Sequence, residues 1–116
     1  MSITVGMKGT ATKIVTENDT AKVVKSGSLP VLATPVLSAL MEEAACDAVK
    51  EGLAAGETTV GGFIGLAHKQ PTLVGHTVRA EATVTVVKGK KITLHAIAHK
   101  RETYTKRATY FSATGE

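Results

Sequence analysis

The chain predicts an α+β fold in which an antiparallel β-sheet wraps around one long central helix. Two observations carry this expectation. Only one segment has strong helical signals: Thr34-Pro35 opens it, and Leu37, Leu40, Met41, Ala44 and Ala48 follow on one helical face. From Glu57 onward, apolar and polar residues alternate with period two, the pattern of half-buried antiparallel strands. A solitary helix can bury its apolar stripe only against the sheet. The 116 residues suit one domain spanning 1–116.

Each element follows from local chemistry. Residues 7–16 (MKGTATKIVT) are rich in β-branched side chains and read as the first strand. Residues 17–30 are polar, with Asn18-Asp19 and Ser26-Gly27-Ser28, and read as a long loop of the kind that often carries function. The helix is expected over 35–51, with Thr34 as N-cap, Pro35 at the first helical position and Gly52 as the stop. The next strand is expected over 58–68, with Val60, Ile64, Leu66 and His68 facing the helix. Gly61-Gly62 inside it marks a bulge or a close approach by ligand or backbone. Over 77–88, Val78, Ala80, Ala82, Val84 and Val86 face one way and Arg79, Glu81, Thr83 and Thr85 the other. A tight turn at Lys88-Gly89-Lys90 leads into 91–100, where Ile92, Leu94, Ala96 and Ala98 face in and Thr93, His95, Ile97 and His99 face out. A last strand is expected over 103–113.

Composition narrows the function classes. The chain is 43% hydrophobic but only 3% aromatic, so the core must come from Val, Ile, Leu, Ala and Met. A core so thin gains buried area by oligomerising, which points to a dimer. Cys46 is the sole cysteine, so no intrachain disulfide is possible and a reducing cytoplasm fits. Met1–Gly9 lacks the apolar stretch of a signal peptide, and no window approaches the roughly 20 apolar residues of a membrane span. A net charge of +4 points to an anionic partner. Its densest group is Lys88, Lys90, Lys91, Lys100, Arg101, Lys106 and Arg107. A basic nucleic-acid-binding β protein would add stacking aromatics, of which there are only Phe63, Tyr104, Tyr110 and Phe111. It would also show a contiguous basic stripe and steeply salt-dependent binding. A small phosphorylated ligand fits the charge equally well.

Three residues stand out as candidates for chemistry. His68 ends an apolar strand face, where it is either a core-edge histidine with one backbone hydrogen bond or a general acid/base. Glu42 lies beside Ser38, Ala45 and Val49 at the margin of the buried helix face. It is either a surface carboxylate or a partly desolvated base or nucleophile. Thr34 is an N-cap by default, yet a helix N-terminus with free N–H groups also suits a carbonyl becoming an oxyanion. His95 and His99 lie about 13 Å apart on a strand, too far to share a metal. His76 is expected at an exposed strand entrance. No Cys/His cluster has zinc spacing, and no phosphate-binding glycine loop is present.

Together, Leu32-Ala33-Thr34-Pro35, Leu40-Met41-Glu42, Ala67-His68 and Pro71 to Gly75 resemble the fluoroacetyl-CoA-thioesterase-like branch of the hotdog superfamily. The resemblance covers roughly residues 5–113, and the intervals of 8 (42 − 34) and 26 (68 − 42) residues match. It implies the hotdog fold and an acyl-CoA thioesterase, with a short acyl group, needing neither metal nor cofactor; CoA enters as part of the substrate. It implies that Glu42 attacks the thioester or activates water, that His68 supports proton transfer, and that Thr34 positions the carboxylate or substrate. It further implies a homodimer or tetramer with acyl-CoA near the subunit interface. Lys69, Arg79 and Lys106 are candidates for the CoA phosphates. Two departures argue against a fluoroacetyl specialist. Residues 22–33 (KVVKSGSLPVLA) lack the aromatic residues found there in the fluoroacetyl-specific enzyme, and Ser112 stands where that enzyme has an Arg. A non-catalytic acyl-CoA or acyl-carrier-protein binder on the same fold is the alternative. What separates the two is whether Glu42 and His68 converge within about 3–4 Å of one ligand.

Overall fold

The computed structural model describes residues 1–100 and the backbone of 105–115. Strand β1 (Lys8–Ile14) leads through a 3-10 turn (Glu17–Asp19) and a short helix α1 (Ala21–Val24) to the long helix α2 (Thr34–Val49). A second 3-10 turn (Lys50–Gly52) ends at the glycine expected to stop the helix. Strands β2 (Thr59–Ala67), β3 (Thr77–Lys88), β4 (Lys91–Lys100) and β5 (Thr105–Gly115) follow. The strands form one antiparallel sheet in the order β1-β3-β4-β5-β2. Helix α2 lies across it, packing on β1, β3 and β4 with β2 at its margin. This is the expected sheet wrapped around one central helix. Residues 103–104, where the last strand was expected to begin, lie outside the described residues.

The core forms where the two periodicities meet. Leu37 and Met41 from α2 are fully buried against Val78, Ala80, Ala82 and Val84 of β3 and Ile92 and Leu94 of β4. The helix comes unusually close to β1. A Cβ at Gly9 would collide with the backbone N of Ala48 and the backbone O of Ala44. Ala44 and Ala48 on the helix complete this small-residue contact, and the Asp47 carboxylate accepts the N–H of Thr10 at 2.9 Å beside it.

Three expectations are corrected. The segment 17–30 is not loop throughout: it carries the 3-10 turn and α1. Val86 does not face the core. A bulge between Val84 and Val86 inserts one extra β3 residue, so Val86 is 41% exposed and Val87 packs against the core instead. The third concerns β2. A bulge between Gly61 and Phe63 switches which residues face the helix, from Thr59 and Gly61 before it to Ile64 and Leu66 after it. Val60, expected on the inner face with Ile64, is therefore 49% exposed. The bulge falls at the Gly61-Gly62 pair.

The approach to α2 is tied down from two sides. The N–H of Ala33 donates to Asp19 O at 2.8 Å, and that of Leu32 to Thr72 O at 2.8 Å. Asp19 is itself fixed, since its carboxylate accepts from the N–H and the hydroxyl of Thr16, each at 2.8 Å, and pairs with Lys13 at 3.2 Å. Burial alone would push this carboxyl up. The Thr16 donors and the Lys13 ammonium outweigh it and hold it below the usual carboxylate range. A carboxyl lowered on folding stabilises fully above its unfolded value, about pH 4, and that support fades as the pH falls through the lower folded value. Asp19→Asn is therefore expected to weaken the fold at neutral pH and to flatten the acid limb of a stability–pH curve followed by thermal melting. An unchanged acid limb would remove Asp19 from this role.

Among the described residues, no helix is long and apolar enough to cross a membrane.

Candidate active site

The N-terminus of α2 departs from the N-cap expectation in an informative way. Ala33, with φ −72° and ψ 140°, holds the cap position, and Thr34 is the first helical residue, followed by Pro35. The helix starts one residue early because the bonds to Asp19 and Thr72 already fix Ala33 and Leu32 in extended backbone. The Thr34 hydroxyl is thereby released from capping. It hydrogen-bonds instead to Nδ1 of His68, at 2.7 Å. His68 is half-buried and follows directly after β2. Two of the three predicted residues, 34 positions apart in the chain, thus meet.

The helix end offers fewer free donors than a helix N-terminus usually does. Pro35 has no N–H, and those of Val36 and Leu37 both donate to Ala33 O, at 3.1 and 3.0 Å. The cap also forgoes a side-chain bond, commonly worth about 1 kcal/mol.

Glu42 sits two turns along α2, about 12 Å further down the axis. Among the described residues, the hydrogen bond to its carboxylate comes from Ser38 rather than from Thr34. Ser38, one turn from each, donates its hydroxyl to Glu42 Oε1 at 3.3 Å. Side chains on a helix lean toward its N-terminus, so the Glu42 carboxylate is inclined toward Ser38 and the Thr34–His68 pair. Thr34, Ser38 and Glu42, spaced four apart, form one polar row along the α2–β2 seam. Sequence reading placed Ser38 next to Glu42 but gave it no role; the i, i+4 spacing was the available signal. On its other side Glu42 faces Gly61, where a Cβ would lie 3.6 Å from Oε2. Glu42 stands at the mouth of a cavity between α2 and the sheet.

The basic candidates separate. Lys69 is exposed and adjacent to His68. Arg79 lies on the sheet face away from α2, paired with Glu81 at 3.3 Å, and so is remote from the Glu42 row. The side chain of Lys106 is outside the described residues, as is that of Ser112. The described lysines of the basic group split between the β3–β4 turn (Lys88, Lys90, Lys91) and the far end of β4 (Lys100), about 30 Å apart. They do not form the stripe a nucleic-acid reader needs. Among the described residues, no group of three or more His, Cys, Asp or Glu is arranged to hold a metal ion.

Comparison with known proteins adds independent findings. A family model described as fluoroacetyl-CoA-specific thioesterase matches residues 15–110. No curated protein matches the sequence. Among solved structures, the fluoroacetyl-CoA thioesterase FlK superposes with a TM-score of 0.90 at 23% identity, covering 100% of this chain and 90% of that one. A thioesterase-superfamily member from Thermus thermophilus gives 0.89 at 22% identity, covering 98% and 84%. A hot-dog-like protein from Thermanaerovibrio acidaminovorans gives 0.83 at 23% identity, covering 97% and 82%. At these identities the superpositions establish a shared hotdog fold.

Proposed function

The chain belongs to the fluoroacetyl-CoA-specific thioesterase family, and on that premise we propose that this thioester hydrolase cleaves short-chain acyl-CoA to the free acid and CoA. The observation that carries the assignment of residues is the polar row that runs from the Thr34–His68 hydrogen bond through Ser38 to Glu42. In this reading Glu42 removes a proton from the attacking water, or attacks the thioester carbonyl to form an anhydride that water then cleaves to the free acid. His68 carries a proton to the departing CoA sulfur, so that the acyl–sulfur bond breaks as a carbon–oxygen bond forms. Thr34 is a positioning residue: its hydroxyl donates to Nδ1, fixes the ring and leaves the proton on Nε2. Ser38 orients the carboxylate. No metal or cofactor takes part, and Lys69, exposed and next to His68 in the chain, is a candidate partner for a CoA phosphate. The absence of aromatic side chains at 22–33 supports a substrate other than fluoroacetyl-CoA.

We place the enzyme as a homodimer in a reducing cytoplasm, with acyl-CoA near the subunit interface. Support for the dimer comes from β2, which ends the sheet, carries no charged side chain over nine residues, and exposes Val60 and Phe63. An uncharged apolar edge strand favours pairing with another.

Thr34→Val tests the positioning role. Turnover is expected to fall by about 10- to 100-fold while thermal stability holds, because no capping bond is lost. Thr34→Ser, which keeps the hydroxyl, should recover most of the rate. A Val variant as active as wild type would remove Thr34 from the mechanism. Ser38→Ala should cost less, about tenfold in kcat, since one neutral-to-charged hydrogen bond is worth about 1.5–3 kcal/mol at most.

A further inference from the structure

Local rules of sheet construction are broken at the β3–β4 hairpin. Lys88 and Lys91 are direct cross-strand partners, and like charges set opposite one another destabilise a sheet. Between them lies a two-residue turn, Gly89-Lys90, which Gly89 enters with φ +58°. The same strand carries the bulge that turns Val86 outward. The chain before β1 runs beside this point: the N–H of Gly6 donates to Val84 O at 2.9 Å, and that of Val84 to Met7 O at 2.9 Å. Val5, 63% exposed, therefore lies at the same end of the sheet as Val86, and the exposed Lys8 follows on β1 opposite Thr83. The result is an exposed apolar pair, Val5 and Val86, flanked by Lys8, Lys88, Lys90 and Lys91. Among the described residues, none of these four lysines makes an ion pair. Glu57, within the field of Lys90, is already engaged by the N–H of Ala54 at 2.7 Å and by the amino group of Met1 at 3.2 Å. Breaks in local consistency are expected at functional sites.

We infer that this end of the sheet docks an acidic carrier protein, which presents the acyl thioester on a phosphopantetheine arm. The inference rests on the thioesterase reading and adds a second substrate class to it. An apolar centre with a polar rim is the anatomy of a protein–protein contact. A hairpin tip is convex and its cations here are all lysine, whereas a nucleotide is held in a concave site and its phosphates are matched best by bidentate arginine. Flexible lysine charges suit the spread carboxylates of an acidic protein and speed its approach. The candidate active site is close by. Lys91, Thr114 and Val60 are successive partners across β4, β5 and β2, so Lys91 stands two strand spacings, about 10 Å, from Val60. Thr59 and Gly61, on either side of Val60, line the cavity at Glu42. CoA and a carrier protein share the pantetheine arm, so a site that accepts one thioester accepts the other. They differ in the body at the far end of the arm, a nucleotide in one and an acidic protein in the other. Hydrolysis adds water across the acyl–sulfur bond and releases the free acid and the carrier thiol.

The test compares butyryl-CoA with the butyryl thioester of an acidic bacterial acyl carrier protein, following release of free acid. Wild type should hydrolyse both, with kcat/KM for the carrier-bound ester falling about tenfold between about 0.01 and 0.15 M salt. Lys88→Glu/Lys90→Glu should lose about tenfold or more on the carrier-bound ester and stay within about twofold on butyryl-CoA. The variant sets opposite charges across the hairpin, so its melting temperature should not fall. An equal loss on both esters would assign the lysines to CoA phosphates and overturn the docking surface. Undiminished turnover of the carrier-bound ester would overturn it too, and loss of binding to phosphatidylserine vesicles in that same variant would assign the tip to a membrane surface. Fluorescence anisotropy of the labelled carrier separates this inference from the hydrolase reading. If neither ester is hydrolysed, yet the carrier binds wild type and not the variant, the docking surface stands and the hydrolase reading fails. If butyryl-CoA is hydrolysed and the carrier neither binds nor turns over, the hydrolase reading stands and the docking surface fails.

Discussion

Glu42→Gln is expected to lower thioester turnover by about 10²- to 10⁴-fold, the range associated with losing a positioned general base. The substitution is nearly isosteric. The amide oxygen can still accept the Ser38 hydroxyl, and the residue is half-buried at a cavity mouth rather than in the core. Folding should therefore be unaffected, and the loss should appear in kcat with little change in KM. Loss of thioester absorbance is the suitable assay, because reagents that detect free thiol also react with the exposed Cys46. A Glu42→Gln enzyme within a few-fold of wild type would mean that the carboxylate only decorates the cavity mouth.

The second large effect is on folding. Gly9→Ala places a Cβ against the backbone of Ala44 and Ala48, and backbone cannot rotate out of the way. Either α2 lifts from β1 or β1 bends, and both disturb the contact that Asp47 makes with Thr10. Overpacking of this kind costs about 1–3 kcal/mol, and more where backbone must move. Against a total stability of about 5–15 kcal/mol, this should lower the melting temperature by about 10 °C or more. Ala48→Gly is the useful control: the clash is with backbone rather than with the Ala48 methyl, so it should restore nothing in the double variant and add about 1 kcal/mol of its own. A Gly9→Ala protein with unchanged melting would show that α2 and β1 are less tightly seated than the structure places them.

Much of this was legible in the sequence. The apolar stripe from Leu37 to Ala48 fixed the buried side of α2, and the alternation through β3 and β4 placed Val78, Ala80, Ala82, Val84, Ile92 and Leu94 in the core. Where alternation failed, a bulge had intervened. At Val86 nothing in the local sequence announced it; on β2 the Gly61-Gly62 pair did, though not that it would turn Val60 outward. The start of α2 was missed by one residue for a non-local reason. Thr34 has the chemistry of an N-cap, but distant partners hold the preceding backbone and His68 takes its hydroxyl. Local propensity cannot report a partner 34 residues away. For the site, residue type and position favoured a core-edge histidine, a surface carboxylate and a helix cap; it was the resemblance to the thioesterase family that selected Thr34, Glu42 and His68. Neither could show that the Thr34 hydroxyl meets His68 or that Ser38 donates to Glu42.

The most direct test of the account is the wild-type chain against a panel of acyl-CoAs, measuring CoA and free acid together. Stoichiometric release of both from short-chain thioesters, acetyl to butyryl, is expected without added metal or cofactor. Intact recovery of every thioester, from a protein that nonetheless binds acyl-CoA, would contradict it and make the chain an acyl-CoA binder on a hotdog scaffold.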